Sequence, residues 1–82
     1  MRVKLRKNEH LIANFYGEAD DVEIVMFFDS DKDNYHVRYV GYAEEVGLGV
    51  VNTDFKTIEE AVERFNELVK EELQTAIDYF EA

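Results

Sequence analysis

The stretch TIEEAVERFNELVKEELQTAIDYF, residues 57–80, decides the fold. Ile58, Ala61, Val62, Phe65, Leu68, Val69, Leu73, Ala76, Ile77 and Phe80 recur three and four residues apart, which places side chains on one stripe of an α-helix. Thr57 followed by Glu60 has the spacing of a capping box, in which a side-chain oxygen takes up an amide that the first turn leaves over. A helix from about residue 58 to 80 is predicted, with its apolar stripe turned against a second layer.

That layer is read from the residues upstream. Val22 to Asp29 is rich in β-branched and aromatic side chains, with Val22, Ile24, Met26 and Phe28 on one face and Glu23, Val25, Phe27 and Asp29 on the other, the pattern of a central strand. Ser30 to Asn34 has the composition of a turn. Tyr35 to Glu44 alternates as the hairpin partner, with Gly41 placed as a bulge. Gly47-Leu48-Gly49 then breaks the chain and Val50 to Phe55 forms a short last strand. Before these, Val3 and Leu5 alternate with Arg2, Lys4 and Arg6 as in a charged edge strand, Lys7 to Glu9 turns, and Leu11 to Tyr16 returns. All strands fall within residues 2–55. The fold class is α+β: an antiparallel sheet of four to five strands packed on one long C-terminal amphipathic helix, in a single domain spanning 1–82.

Length and charge narrow the function. Eighty-two residues make one small domain, and without cysteine neither a disulfide nor a thiolate metal site supplements its core. Nineteen acidic residues against nine basic ones give a net charge of −10, which repels nucleic acid and anionic membrane. Four of the basic residues lie in the first seven positions, so the chain from Asn8 onward carries −14. The longest apolar run, Ile24 to Phe28, is far too short to span a membrane, and no apolar run follows the basic start as it would in an export signal. A soluble protein of the cytoplasm is expected.

No motif for chemistry assembles. Asp29, Asp31 and Asp33 have the alternate acids of a calcium loop, but Asn34 stands where its glycine belongs and Val40 where its bidentate glutamate belongs. Ser30 is the sole serine, and His10 and His36 are the sole imidazoles, with His36 read as a surface residue. Gly47-Leu48-Gly49 lacks the lysine and the strand-to-helix setting of a phosphate loop. Neither metal, cofactor nor catalytic residue is expected, and the chain is read as no enzyme.

What a plain structural domain does not need is the outer face of the helix. Glu59, Glu63, Glu67 and Glu71 recur every four residues, so each stacks over another of like charge, and such pairs weaken a helix by roughly 0.2–0.5 kcal/mol each. Glu60 with Arg64 and Glu67 with Lys70 are the compensating pairs to expect. Successive glutamates stand about 6 Å apart along the axis, resembling a line of phosphates. Asp20, Asp21, Asp29, Asp31 and Asp33 form a second acidic group. On the sheet face away from the helix, Val25, Phe27, Val40 and Tyr42 gather into an aromatic patch fit for self-association, unless the N-terminal hairpin covers it.

The segment Asp54 to Phe65, a strand end followed by a capped helix, is similar to the end of the WGR and plant ethylene-response-factor domains, whose strands are basic where these are acidic. In size, acidity, absence of cysteine and lack of catalytic residues, the whole chain resembles small phage-encoded inhibitors, the anti-CRISPR and anti-restriction proteins. The resemblance implies a protein that occupies a basic, nucleic-acid-binding groove of a host enzyme, in the host cytoplasm, with carboxylates in place of phosphates. Here these would be Glu59, Glu63, Glu67 and Glu71 with the five loop aspartates. The alternative is a structural or regulatory subunit, a homodimer through the aromatic patch, whose acidity serves solubility.

Overall fold

The computed structural model describes residues 3–43 and 47–81. Four strands, β1 (Glu9–Gly17), β2 (Val22–Asp29), β3 (Asn34–Ala43) and β4 (Gly47–Phe55), precede one helix, α1 (Ile58–Glu81). The strands pair with their sequence neighbours in the order β1-β2-β3-β4, each pair antiparallel. The α+β class, the antiparallel sheet and the long C-terminal helix are as the periodicity predicts.

β2 is apolar on both sides, and each side is covered by a different element. Val22, Ile24 and Met26 face the helix and form the core with Val37 and Ala61, flanked by Phe15, Tyr35, Tyr39, Phe55, Phe65, Leu68 and Val69. On the far side Val25 and Phe27 are fully buried too. Across that side runs the chain from Val3 to Asn8, tied at each end to a buried acid of β2. The Val3 amide donates to Glu23 Oε1 at 2.6 Å, and Asn8 Nδ2 donates to Asp29 Oδ1 at 2.9 Å. Phe27 is further packed by His36, stacked at 5.0 Å, and by the Arg38 guanidinium 4.7 Å above its ring.

The aromatic patch expected on this face is therefore closed at its centre. Val25 and Phe27 lie beneath the N-terminal segment and Val40 is half-buried; the side chain of Tyr42 lies outside the described residues, as does Glu44. The cover is not a hairpin. Residues 3–8 form no strand: Val3 and Leu5 are half-buried and Lys4 and Arg6 exposed, as alternation requires, but the apolar side lies down on the sheet face and the segment joins neither sheet edge. His36 is buried rather than superficial, with Asn52 Nδ2 donating to its Nδ1 at 3.0 Å and its Nε2 2.7 Å from Asn34 Oδ1.

Two further expectations are corrected. Gly41 pairs in regular register with both Val22 and Gly49, and the bulge falls instead between Leu11 and Ala13. An added Cβ at Gly41 would stand 3.2 Å from the Tyr39 ring, so a side chain there requires that ring to give way. Gly47-Leu48-Gly49 opens β4 rather than breaking the chain before it.

The β1–β2 and β2–β3 loops each place an aspartate in the left-handed backbone region at their last position, Asp21 and Asp33, both with φ of 53°. Aspartate tolerates this better than most residues and glycine tolerates it best. Asp33→Gly is expected to leave stability equal or higher by up to about 1 kcal/mol, and Asp33→Val to lower it by about 1–2 kcal/mol, in urea unfolding. Glu23 accepts from the Val3 amide and from Asn14 Nδ2 at 3.3 Å. Glu23→Ala leaves these donors without the carboxylate and should cost about 1–3 kcal/mol in the same measurement.

Candidate functional site

The helix begins as its cap predicts: the Glu60 amide donates to Thr57 Oγ1 at 3.3 Å, and that hydroxyl donates to Glu60 Oε1 at 2.9 Å. This turns Glu60 toward the cap and away from Arg64. Arg64 instead pairs with Glu67, one turn on, at 3.1 Å. The pairs expected between Glu60 and Arg64 and between Glu67 and Lys70 give way to this one. Both its side chains are largely exposed, so its contribution to stability is at most about 1 kcal/mol.

Glu59, Glu63, Glu67 and Glu71 are all exposed. A four-residue step overshoots a full turn by about 40°, so the row winds slowly round the helix. It starts on the side away from Ala61, the fully buried contact with the sheet, and its last member reaches the acids beside the β1–β2 loop.

There the structure assembles an acidic group larger than the row. Glu72 lies at the end of the sheet, its Oε2 3.6 Å from where a Cβ on Gly17 would stand, and Tyr39 Oη donates to its Oε1 at 3.3 Å. Burial, then hydrogen bonding to and charge repulsion from Asp20, and the neighbouring Glu71, push the Glu72 carboxyl above its ordinary value; the Tyr39 hydroxyl bond opposes them. Burial and the Glu72 carboxylate raise the Tyr39 phenol in turn. From the sequence Glu72 reads only as an acid toward the negative end of the helix dipole, although Ala61, Phe65, Leu68 and Glu72 recur at the spacing of a single sheet-facing line.

The loop aspartates do not act as one cluster. Asp20 joins Glu71 and Glu72. Asp21 accepts from Tyr16 Oη at 2.6 Å. Asp31 and Asp33 are exposed at the opposite end of the sheet, beside Lys32 and, for Asp33, Lys56. Asp29 is withdrawn from any outer surface: it is buried and accepts from Asn8 Nδ2 and from the amides of Asp31 at 2.9 Å and Lys32 at 3.2 Å. The Asn8 bond leads the interactions that hold its carboxyl below the ordinary range. The alternate acids of this turn thus close a hairpin, and among the described residues no group of three or more acids or imidazoles is placed to hold a metal ion.

Beside the acids lies an apolar surface that the periodicity had assigned to the core. Glu72 stands beside the Gly17 end of β1, and none of the nine helix residues after it is packed against the core cluster. Over this last stretch Leu73 and Ile77 are half exposed, and Tyr79 and Phe80 are 65% and 77% exposed with their rings edge to face at 4.9 Å. Asp78 and Glu81 are interleaved with them. Ile58 and Val62 are also exposed, so the apolar stripe is wider than the contact it makes with the sheet.

On the opposite sheet face an open cleft of about 720 Å³ runs between the N-terminal segment and β3 and β4, lined by Lys4, Arg6 and Arg38 with Glu9, Glu23 and Val50. Arg38 is paired with Glu9 at 3.3 Å. Burial works to raise the Glu9 carboxyl, but the Arg6 amide and Arg38 outweigh it and hold the group low. Lys4 and Arg6 thus stay on the face away from the helix.

No helix among the described residues is long and apolar enough to cross a membrane. Comparison with protein-family models, with curated proteins and with solved structures finds no match to this chain.

The folded chain holds a proton on Glu72 at pH values where the unfolded chain has lost it, so this site weakens folding as pH rises from 4.5, the ordinary value, through the raised one. Glu9 and Asp29 act oppositely, their stabilisation being lost as pH falls. Glu72→Gln should therefore unfold at a higher urea concentration than the parent at pH 7, and the advantage should shrink toward pH 4, across a pH series of unfolding curves. An advantage that grew on acidification would refute the shared-charge account of Glu72 and Asp20.

Proposed function

We propose that this chain is a non-enzymatic, protein-binding inhibitor that occupies a basic, nucleic-acid-binding surface of a partner in the cytoplasm. The observation that carries the proposal is the exposure of Glu59, Glu63, Glu67 and Glu71 along one helix, continuing into Asp20 and Glu72. A single ion pair, Arg64 with Glu67, compensates this row among the described residues.

Folding gains nothing from that arrangement. Like charges one turn apart oppose the helix, and acids in its last turns, where no basic residue stands, oppose its dipole. A basic groove repays both terms on binding and speeds encounter through long-range attraction. Leu73, Ile77, Tyr79 and Phe80 supply what charge alone lacks. Apolar and aromatic anchors within a charged rim make the well-packed centre on which protein interfaces depend. The partner surface is accordingly a basic groove bordered by an apolar pocket.

Glu63→Lys combined with Glu71→Lys separates recognition from stability. It leaves the Arg64–Glu67 pair in place and makes every step of the row attractive, from Glu59 to residue 63, on to Glu67, and on to residue 71. The helix should gain some tenths of a kcal/mol. Capture from lysate on the immobilised chain should recover a nucleic-acid-binding protein at about 0.05 M salt, less of it at about 0.5 M, and duplex DNA should compete for it. The double variant should bind that protein roughly tenfold to a hundredfold more weakly. Unchanged binding by the folded variant would remove the helix face from the proposal.

A further inference from the structure

The two edges of the sheet are built differently. β1 is interrupted by the bulge between Leu11 and Ala13, a device that spoils an edge as a template for further pairing. β4 has none. Its register against β3 is unbroken from Phe55 to Gly47, it contains neither proline nor lysine, and residues 47–53 carry no charge in a chain of net −10. Val50 and Val51 are 55% and 61% exposed, one on each face. Val51 lies across from Tyr39, which reaches the helix through Glu72, and Val50 lies across from Val40 on the cleft side. Regular, uncharged and β-branched, this edge has the features that let another strand add.

We infer that β4 pairs antiparallel with β4 of a second copy of this chain, about a two-fold axis perpendicular to the sheet. Charge selects the occupant. Two copies of so acidic a protein repel each other across most of their surfaces, and β4 is where they approach without opposing carboxylates along the strand from Gly47 to Thr53. A foreign strand would have to be chosen by side chains, and Asn52 is already engaged with His36 and Arg38. Pairing with itself needs no such choice, since a two-fold contact sets one patch against its own copy. On one face a valine then stands opposite its own copy, and on the other face the second valine meets its copy diagonally across the joined sheet. This axis does not exchange the faces, so both helices stand on one side and the two glutamate rows share it. The inference rests on the strand edge and not on the function proposed above.

Sedimentation equilibrium of the full chain, from about 1 µM to 1 mM, should show a rise from one 9.6 kDa chain to two. Because the copies repel, the dimer should tighten between about 0.05 M and 0.5 M salt, the opposite of the dependence expected for a basic partner. Val50→Lys with Val51→Lys sets like charges against each other across the axis and should raise the dissociation constant about tenfold or more, with an unchanged circular dichroism spectrum. If that variant does not fold, hydrogen exchange of the parent decides: the alternate amides of residues 50–54 that point away from β3 should exchange more slowly at the higher concentration. A monomer throughout, a dimer that loosens with salt, a folded variant that dimerises as tightly as the parent, or exchange independent of concentration would each overturn the inference.

Discussion

The two-sided apolar character of β2 is the constraint on which the rest of the molecule depends. Val22, Ile24 and Met26 on one face and Val25 and Phe27 on the other are all buried, in a chain with one helix to offer. A central strand buried on both faces needs two covers, and the second is made from six residues without regular structure. Such a segment cannot hold itself in place by packing alone. Glu23 and Asp29, at the two ends of the same strand, fasten it by accepting from Val3 and Asn8. Two buried acids are retained because each is hydrogen-bonded more than once, the condition under which a buried carboxylate is tolerated.

The helix stands in the reverse relation to the sheet. Its stripe carries more apolar residues than the core takes up: Ala61, Phe65 and Leu68 reach the core while Val62, Leu73, Ile77 and Phe80 do not. Shortening the helix after Glu72 would remove most of this exposure without touching a described core contact. Exposed aromatic residues at the helix end are a solubility cost with no structural return. They lie among the acids for which folding has no use either, which is why the two are treated as parts of one surface.

Period and capping made the elements legible in the sequence: the Thr57 and Glu60 spacing set the helix start, and the Val22 to Asp29 alternation set the central strand. What they could not convey is partnership. Alternation at Val3 and Leu5 states that one side of the segment is buried, which is equally true of an edge strand and of a strap lying flat on a sheet. The same ambiguity leaves Val25 and Phe27 open in the sequence to self-association or to cover by the N-terminal segment, since alternation does not say which element covers a face. Gly47 and Gly49 read as a break because glycine weakens strands in general, yet here they pair across from Ala43 and Gly41. In the acidic surface the helix row was legible from spacing, whereas Glu72 depends on a loop fifty residues earlier in the chain bringing Asp20 to it.

Not every acid in this protein carries the same meaning, and their local chemistry sorts them. Asp29, Glu23 and Glu9 are met by amides, an asparagine or an arginine, so each has a structural reason for its charge. Glu72 and Asp20 face each other with Glu71 alongside, and what Glu72 is given in return is one tyrosine hydroxyl. Glu59 and Glu63 repel along an exposed helix. Local rules of helix charge and carboxylate pairing are broken here, while the same chain satisfies them a few ångströms away in its buried layer. A sequence that can place a partner against Glu23 and Asp29 is not limited in its ability to satisfy an acid. On the function proposed above, these acids give up folding stability for a surface that acts on a partner.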